Sequence, residues 1–410
     1  MALSKRNIII SGLLLLLVIG VIFFVPKKTT NPSELATTDT VPAENADSSS
    51  EIPLAEAGGV LGGSKTAVKS APTPAPLPQS GKMYKDFIRP TGFANTAFLG
   101  LLNTEAFTLT QFVGQKVILI NFWTTSASNA LRMFPYLNAW HTKYKDDGLL
   151  IVSIHAPRFL YEQSKSVVDA TLFLQNALYP VVLDNNYETW RAYGNTVWPH
   201  QYLIDINGRI AYDHPGEGAY TATELKIQEL LGERAQKLGL PRETYAPPVP
   251  PKDAVSIDLA RIKSPETYFG SARNNTLGNA VPLKDGNQDL EYPAIVLPNA
   301  PYFNGSWGFS KEYALNLVTG TALRYQYSAK LVHMVLSSEK LIRVKVLRDG
   351  AALSIESAGK DVRFEKGESY FFISGTRIYD IVNDQAGYGQ HTLEFIIQDS
   401  GLKIYTITFG

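Results

Sequence analysis

Hydrophobic positions change their rhythm along the chain, and each rhythm predicts a different kind of element. An almost unbroken apolar run extends from Ile8 to Val25, flanked by Lys5 and Arg6 on one side and Lys27 and Lys28 on the other. As a helix it reaches roughly 27 Å, close to the hydrocarbon thickness of a bilayer. No small-residue cleavage site follows it directly, so residues 1–28 read as an uncleaved signal anchor with the N-terminus inside and the bulk of the chain exported. Residues 29–85 then lose all periodicity and turn rich in Pro, Ser, Thr and Ala, as in SAPTPAPLPQSG, which predicts a flexible tether.

Between residues 86 and 240 strand and helix patterns alternate. VILINFW, LLIVSIH, PVVLD and QYLID are short, continuously apolar runs of the kind covered on both faces. A helix carries Leu131, Phe134, Leu137, Trp140 and Tyr144, with Pro135 placed to kink it. Ile206-Asn207-Gly208 predicts a hairpin turn, and Thr221-Ala-Thr-Glu224 a capping box opening the last helix. After a proline-rich linker at 241–254 the rhythm becomes period two. Leu393, Phe395 and Ile397 alternate with Glu394 and Gln398, which predicts an antiparallel β-sandwich over 255–410.

Charge and composition remove whole classes of function. Lys plus Arg and Asp plus Glu number 38 each, so no net positive field recruits nucleic acid. The chain has no cysteine, which excludes disulfides, thiolate metal sites and a cysteine nucleophile. Its six histidines show no metal-ligand spacing; His155 and His214 are the best placed, and neither a metal nor any other cofactor is expected.

Asn121-Phe122-Trp123, an exposed turn, a Pro-kinked helix and a Trp198-Pro199 loop ahead of a hairpin resemble the thioredoxin fold. FPYLNAW, YKDDGLLIVSIHAP, YPVVLDNNYETWRAYGN and WPHQYLID narrow the resemblance to TlpA-type and DipZ-type extracytoplasmic thioredoxins. SPETYFG, FNGSWG and YTITFG are similar to the DipZ-type C-terminal domain, whose architecture resembles carbohydrate-binding modules. The resemblance implies an α/β thioredoxin fold followed by an all-β sandwich, and thiol-disulfide oxidoreductase chemistry from two cysteines at the start of the helix. Those positions hold Ala127 and Ala130, and Asn121 stands where many relatives carry a buried Asp. A methyl group neither ionises nor exchanges, so no catalytic residue is assigned.

What the resemblance leaves is recognition. A cis-proline loop of this fold pairs with extended peptides, so Trp198 and Pro199, with Trp123, Ser126, Ser128 and Asn129 around the tip, are the candidate binding residues for a peptide or envelope protein. Ser126 or Ser128 is expected to cap the helix. A rival pairing of Ser128 with His200 as nucleophile and base lacks an orienting third group. Glycan binding would draw on Trp307, Tyr313, Tyr325 and Tyr327. Three functions follow: a non-redox binding or scaffold module at the envelope, a thiol-disulfide oxidoreductase by family or by parentage, and a glycan-binding protein.

Overall fold

The computed structural model describes residues 82–94 and 106–410. The apolar run from Ile8 to Val25 and nearly all of the tether lie outside the described residues; among those described, no helix is long and apolar enough to cross a membrane.

The first sheet has six strands: β1 (Gly92–Ala94), β2 (Val117–Trp123), β3 (Leu149–His155), β4 (Val181–Leu183), β5 (His200–Ile204) and β6 (Ile210–Pro215). They run in the order β1-β4-β3-β2-β5-β6, with β2, β3 and β4 parallel and the others antiparallel. Because side chains alternate along a strand, β2 serves two cores. Val117, Leu119 and Trp123 pack with Phe134, Leu137 and Trp140, while Ile118, Ile120 and Phe122 pack with Leu109 and Trp190 on the other face. This is the thioredoxin-like arrangement.

Five helices flank this sheet among the described residues: α1 (Ser128–Leu131), α2 (Phe134–Tyr144), α3 (Lys165–Leu174), α4 (Glu188–Ala192) and α5 (Tyr220–Leu238). Pro135 lies in the first turn of α2, where its missing N–H costs nothing, so the expected kink is a break between two helices. The Asn207-Gly208 turn forms as expected, with Gly208 at φ +78° and the Asp205 carboxylate accepting from the N–H groups of Asn207 and Arg209. The capping box at Thr221 does not form: the N-cap of α5 is Ala219, two residues earlier, and no side chain caps the helix. Glu224 instead accepts hydrogen bonds from Trp140 Nε1 (3.0 Å), Lys143 Nζ (2.8 Å) and the Tyr144 hydroxyl (2.7 Å), tying α5 to α2.

The C-terminal part is a large antiparallel sheet that folds over on itself into a near-barrel. Its strands are β7 (Thr267–Tyr268), β8 (Gly286–Leu290), β9 (Pro301–Phe309), β10 (Ala314–Asn316), β11 (Ala322–Ala329), β12 (Leu331–Ser337), β13 (Ile342–Arg348), β14 (Ala351–Ala352), β15 (Val362–Glu365), β16 (Glu368–Ile373), β17 (Arg377–Asn383), β18 (Gly389–Ile397) and β19 (Lys403–Phe409). The two layers are not separate sheets as a simple sandwich would have, because β9 belongs to both. Its first half pairs with β11 and its second with β8 and β10. Gly305, at φ +91°, sits at the changeover, and a Cβ there would meet Thr321 Cγ2 at 2.8 Å. Leu393, Phe395 and Ile397 point inward as their alternation predicts, joining Phe303, Trp307 and Tyr325 in one core.

Candidate functional site

The segment leaving β2 is held by a carboxylate that its own sequence does not announce. Glu162, in a 3-10 turn at Leu160–Gln163, is fully buried. It accepts from the Thr124 hydroxyl (2.6 Å), the Thr125 hydroxyl (2.7 Å) and the Ser126 N–H (2.7 Å), and also from the N–H groups of Arg158 (2.6 Å) and Phe159 (2.8 Å). Burial alone would raise its pKa, but His155, Arg158 and the two threonine hydroxyls hold it below the usual carboxylate value. The loop in front of α1 is therefore clamped to an ionised group.

Arg158 completes the clamp. Its Nε donates to Ser126 Oγ (3.0 Å), its Nη2 to the Ser126 carbonyl (2.5 Å), and its Nη1 to Glu266 Oε1 (2.7 Å) and the Tyr268 hydroxyl (3.1 Å). Burial would lower its pKa, yet the charge of Glu266, with Tyr268 and Glu162, drives it higher still. One guanidinium thus joins the thioredoxin-like part to β7. Phe159, Val335 and Tyr405 form a small shared core beside it.

The expected exposed tip is covered. Ala127 is 4% and Ala130 0% exposed. The N-cap of α1 is Ala127 itself, with no side-chain cap, so neither Ser126 nor Ser128 caps the helix. Ser126 is engaged by Arg158, and Ser128 Oγ lies 3.0 Å from Thr408 Oγ1 on β19. The near-barrel thus reaches the start of α1, where the resemblance places its two cysteines.

The Trp198-Pro199 peptide is cis. Asn129 bridges it to α1, donating from Nδ2 to the Trp198 carbonyl at 3.0 Å and accepting the Ala130 N–H at 2.9 Å. The carbonyl that would pair with an extended peptide is thus already bonded, and Trp198 Nε1 donates to the Ala156 carbonyl. Trp123 is fully buried against Phe134 and His155, so it is a core residue and not a wall of a binding surface. His200 pairs with Asp213 and with the Tyr202 hydroxyl, leaving no Ser128–His200 pair.

His155 is fully buried, and burial pulls its pKa down to about 4, against a raising influence from Glu162. Neither it nor His214 belongs to a group able to hold a metal among the described residues. Of the rings proposed for sugars, Trp307, Tyr325 and Tyr327 are buried in the near-barrel core, which removes them from any platform. Tyr313 stacks obliquely on Tyr405, with Lys403 over its ring.

Comparison with known proteins matches both halves. Residues 81–231 match the Redoxin family model, and residues 264–410 match the model described as Thioredoxin like C-terminal domain. Protein DipZ of Mycobacterium tuberculosis (strain CDC 1551 / Oshkosh) is 29% identical over 297 residues, covering 72% of this chain and 39% of DipZ. The chain thus spans about two fifths of the length of that relative. The thiol-disulfide oxidoreductase YkuV of Bacillus subtilis (strain 168) is 26% identical over 132 residues, 32% of this chain and 88% of YkuV. Among solved structures, a thiol:disulfide interchange protein from Bacteroides sp. aligns at 20% identity and a TM-score of 0.29, covering 36% of this chain and 89% of that one. The resemblance to DipZ-type proteins extends across both domains, and alanine occupies both of the positions that the family's cysteine pair implies.

Proposed function

We propose that this chain is a relative of the thioredoxin-like thiol-disulfide oxidoreductases that no longer carries out the reaction and works as a binding or scaffold module for peptides or proteins at the cell envelope. One observation carries the reading: Ala127 and Ala130, the positions needed for exchange, hold methyl groups and are buried, 4% and 0% exposed, in a chain without cysteine. Thiol-disulfide exchange needs a thiolate that a partner's sulfur can reach. The apolar run from Ile8 to Val25 supports a single-pass anchor with the described domains outside the cytoplasm.

Insulin reduction by the purified chain in dithiothreitol tests this. No turnover above the buffer rate is expected; sustained turnover refutes the proposal. A second reading, oxidoreductase by parentage, draws on the retained cis-proline loop and the thioredoxin-like sheet. It requires that cysteines placed at 127 and 130 restore activity.

A further inference from the structure

Arg132, just after α1, spends two of its five N–H donors on one carboxylate. Nε donates to Glu217 Oε1 at 2.8 Å and Nη2 to Glu217 Oε2 at 2.7 Å, in a fork that fixes the guanidinium plane. Nη1 is buried with no hydrogen-bond partner among the described residues, on a side chain only 9% exposed. Across the interface, His333 on β12 has Nδ1 2.7 Å from Asp380 Oδ1, while Nε2 is likewise buried without a partner. Both side chains line one cavity of about 270 Å³. Leaving a buried donor or acceptor unpaired is costly, so two at one cavity need an explanation.

With the imidazole neutral and its Nδ1–H held by Asp380, the chemistry of the pair is complementary. A guanidinium N–H only donates. In a neutral imidazole whose Nδ1–H is held by a carboxylate, Nε2 accepts. The group that answers both is a secondary amide, with its C=O toward Arg132 and its N–H toward His333. An anion fits less well, because Glu217 already balances Arg132, Lys360 pairs with Asp380 at 2.6 Å, and Asp253 also lines the cavity.

Leu131, Val255, Leu331 and Ile378 give the rest of the lining an aliphatic character, and it includes no Phe, Tyr or Trp for a sugar to stack on. Leu131, Gln175, Lys360, Ile378 and Asp380 also line a neighbouring groove of about 650 Å³ between α3 and β17. The two spaces together suit an elongated ligand. We propose that the cleft between α1 and the β12–β17 face binds a main-chain amide of an extended peptide with small aliphatic side chains. This deepens the peptide-binding reading above and rests on it.

The probe is a positional-scanning library of N-acetylated tetrapeptide amides, with chitotetraose as a non-peptide amide, titrated onto the full chain. Saturable binding of aliphatic peptides is expected. It should weaken at least tenfold in His333→Phe, which keeps a ring but loses the acceptor, and in Val255→Trp, which blocks the rim at a residue 44% exposed and so spares the fold. N-methylation of one peptide bond should cause a similar loss. Peptide binding indifferent to both variants overturns the site while leaving the module reading standing. Binding of no peptide overturns both, and variant-sensitive binding of chitotetraose alone overturns the choice of peptide.

Discussion

Replacing His155 by leucine should flatten the acid limb of the stability curve. The imidazole is fully buried, lies edge-on to Trp123 with ring centroids 5.0 Å apart, and has no hydrogen-bond partner at either nitrogen among the described residues. Burial sets its pKa at about 4 in the folded chain, against 6.5 for an unperturbed histidine. Between those values the unfolded chain holds a proton that the folded chain refuses, so acid favours unfolding. At about 1.4 kcal/mol per pH unit, this interval removes about 3 kcal/mol by pH 4. Glu162 acts in the same direction but lower: its depressed pKa makes its contribution disappear only below the ordinary carboxylate range. His141, His200 and His214, whose pKa values burial also lowers, share the window and remain in the variant. Urea unfolding followed by tryptophan fluorescence from pH 7.5 to 4 gives the comparison. His155→Leu should gain on the parent by about 3 kcal/mol as pH falls across the window. Parallel curves would refute the assignment of a buried neutral imidazole.

Cysteines introduced together at 127 and 130 should be folded but poorly reactive, with labelling by Ellman's reagent roughly a hundredfold slower than in urea, since an opening cost of about 3 kcal/mol suffices for that. The Glu162 carboxylate beside Ser126 should also raise the pKa of a thiol at 127; rates matching the unfolded chain would contradict the burial. Arg158→Ala should cost about 3 kcal/mol, because it strands Glu266 and the Ser126 carbonyl. A double-mutant cycle with Glu266→Ala should show coupling of about 1 kcal/mol or more, and additivity would mean that the pair does not join the domains. Gly305→Ala should destabilise by about 1–3 kcal/mol through its left-handed φ and the contact with Thr321, measurable as a lower Tm; an unchanged Tm would show that β9 bends elsewhere.

The parts of the fold that sequence reveals are those governed by local period. β2 and β3 read as doubly buried strands because every position in them is apolar or small, apart from Asn121, Ser153 and His155, and the Asn207-Gly208 turn reads from its φ demands. The Glu224 motif misleads for a physical reason. A carboxylate near a helix start can satisfy backbone N–H groups or neighbouring side chains, and here Trp140, Lys143 and Tyr144 win. Glu162 escapes notice because its partners Thr124, Thr125 and Ser126 lie 36 to 38 residues away. One signal was available: Arg158-Phe-Leu-Tyr-Glu162 sets opposite charges four apart in an otherwise aromatic and apolar stretch. The covering of α1 by β19 has no local signature, since Ser128 and Thr408 are 280 positions apart. Alternation in the C-terminal strands separates the two faces, but assigning Trp307, Tyr325 and Tyr327 to the inside required knowing how β9 joins the layers.

The contact between Ser128 and Thr408, with the Arg158 bridge beside it, also bears on how such a chain evolves. Two codon changes would return both thiols, but at positions that are buried in the folded chain. Recovering the chemistry would further require loosening Thr408, Glu266 and the Glu162 clamp, each of which supports the fold until the others have changed. Selection for stability therefore opposes every first step back, and the structure works as a ratchet against the return of an exposed thiol pair.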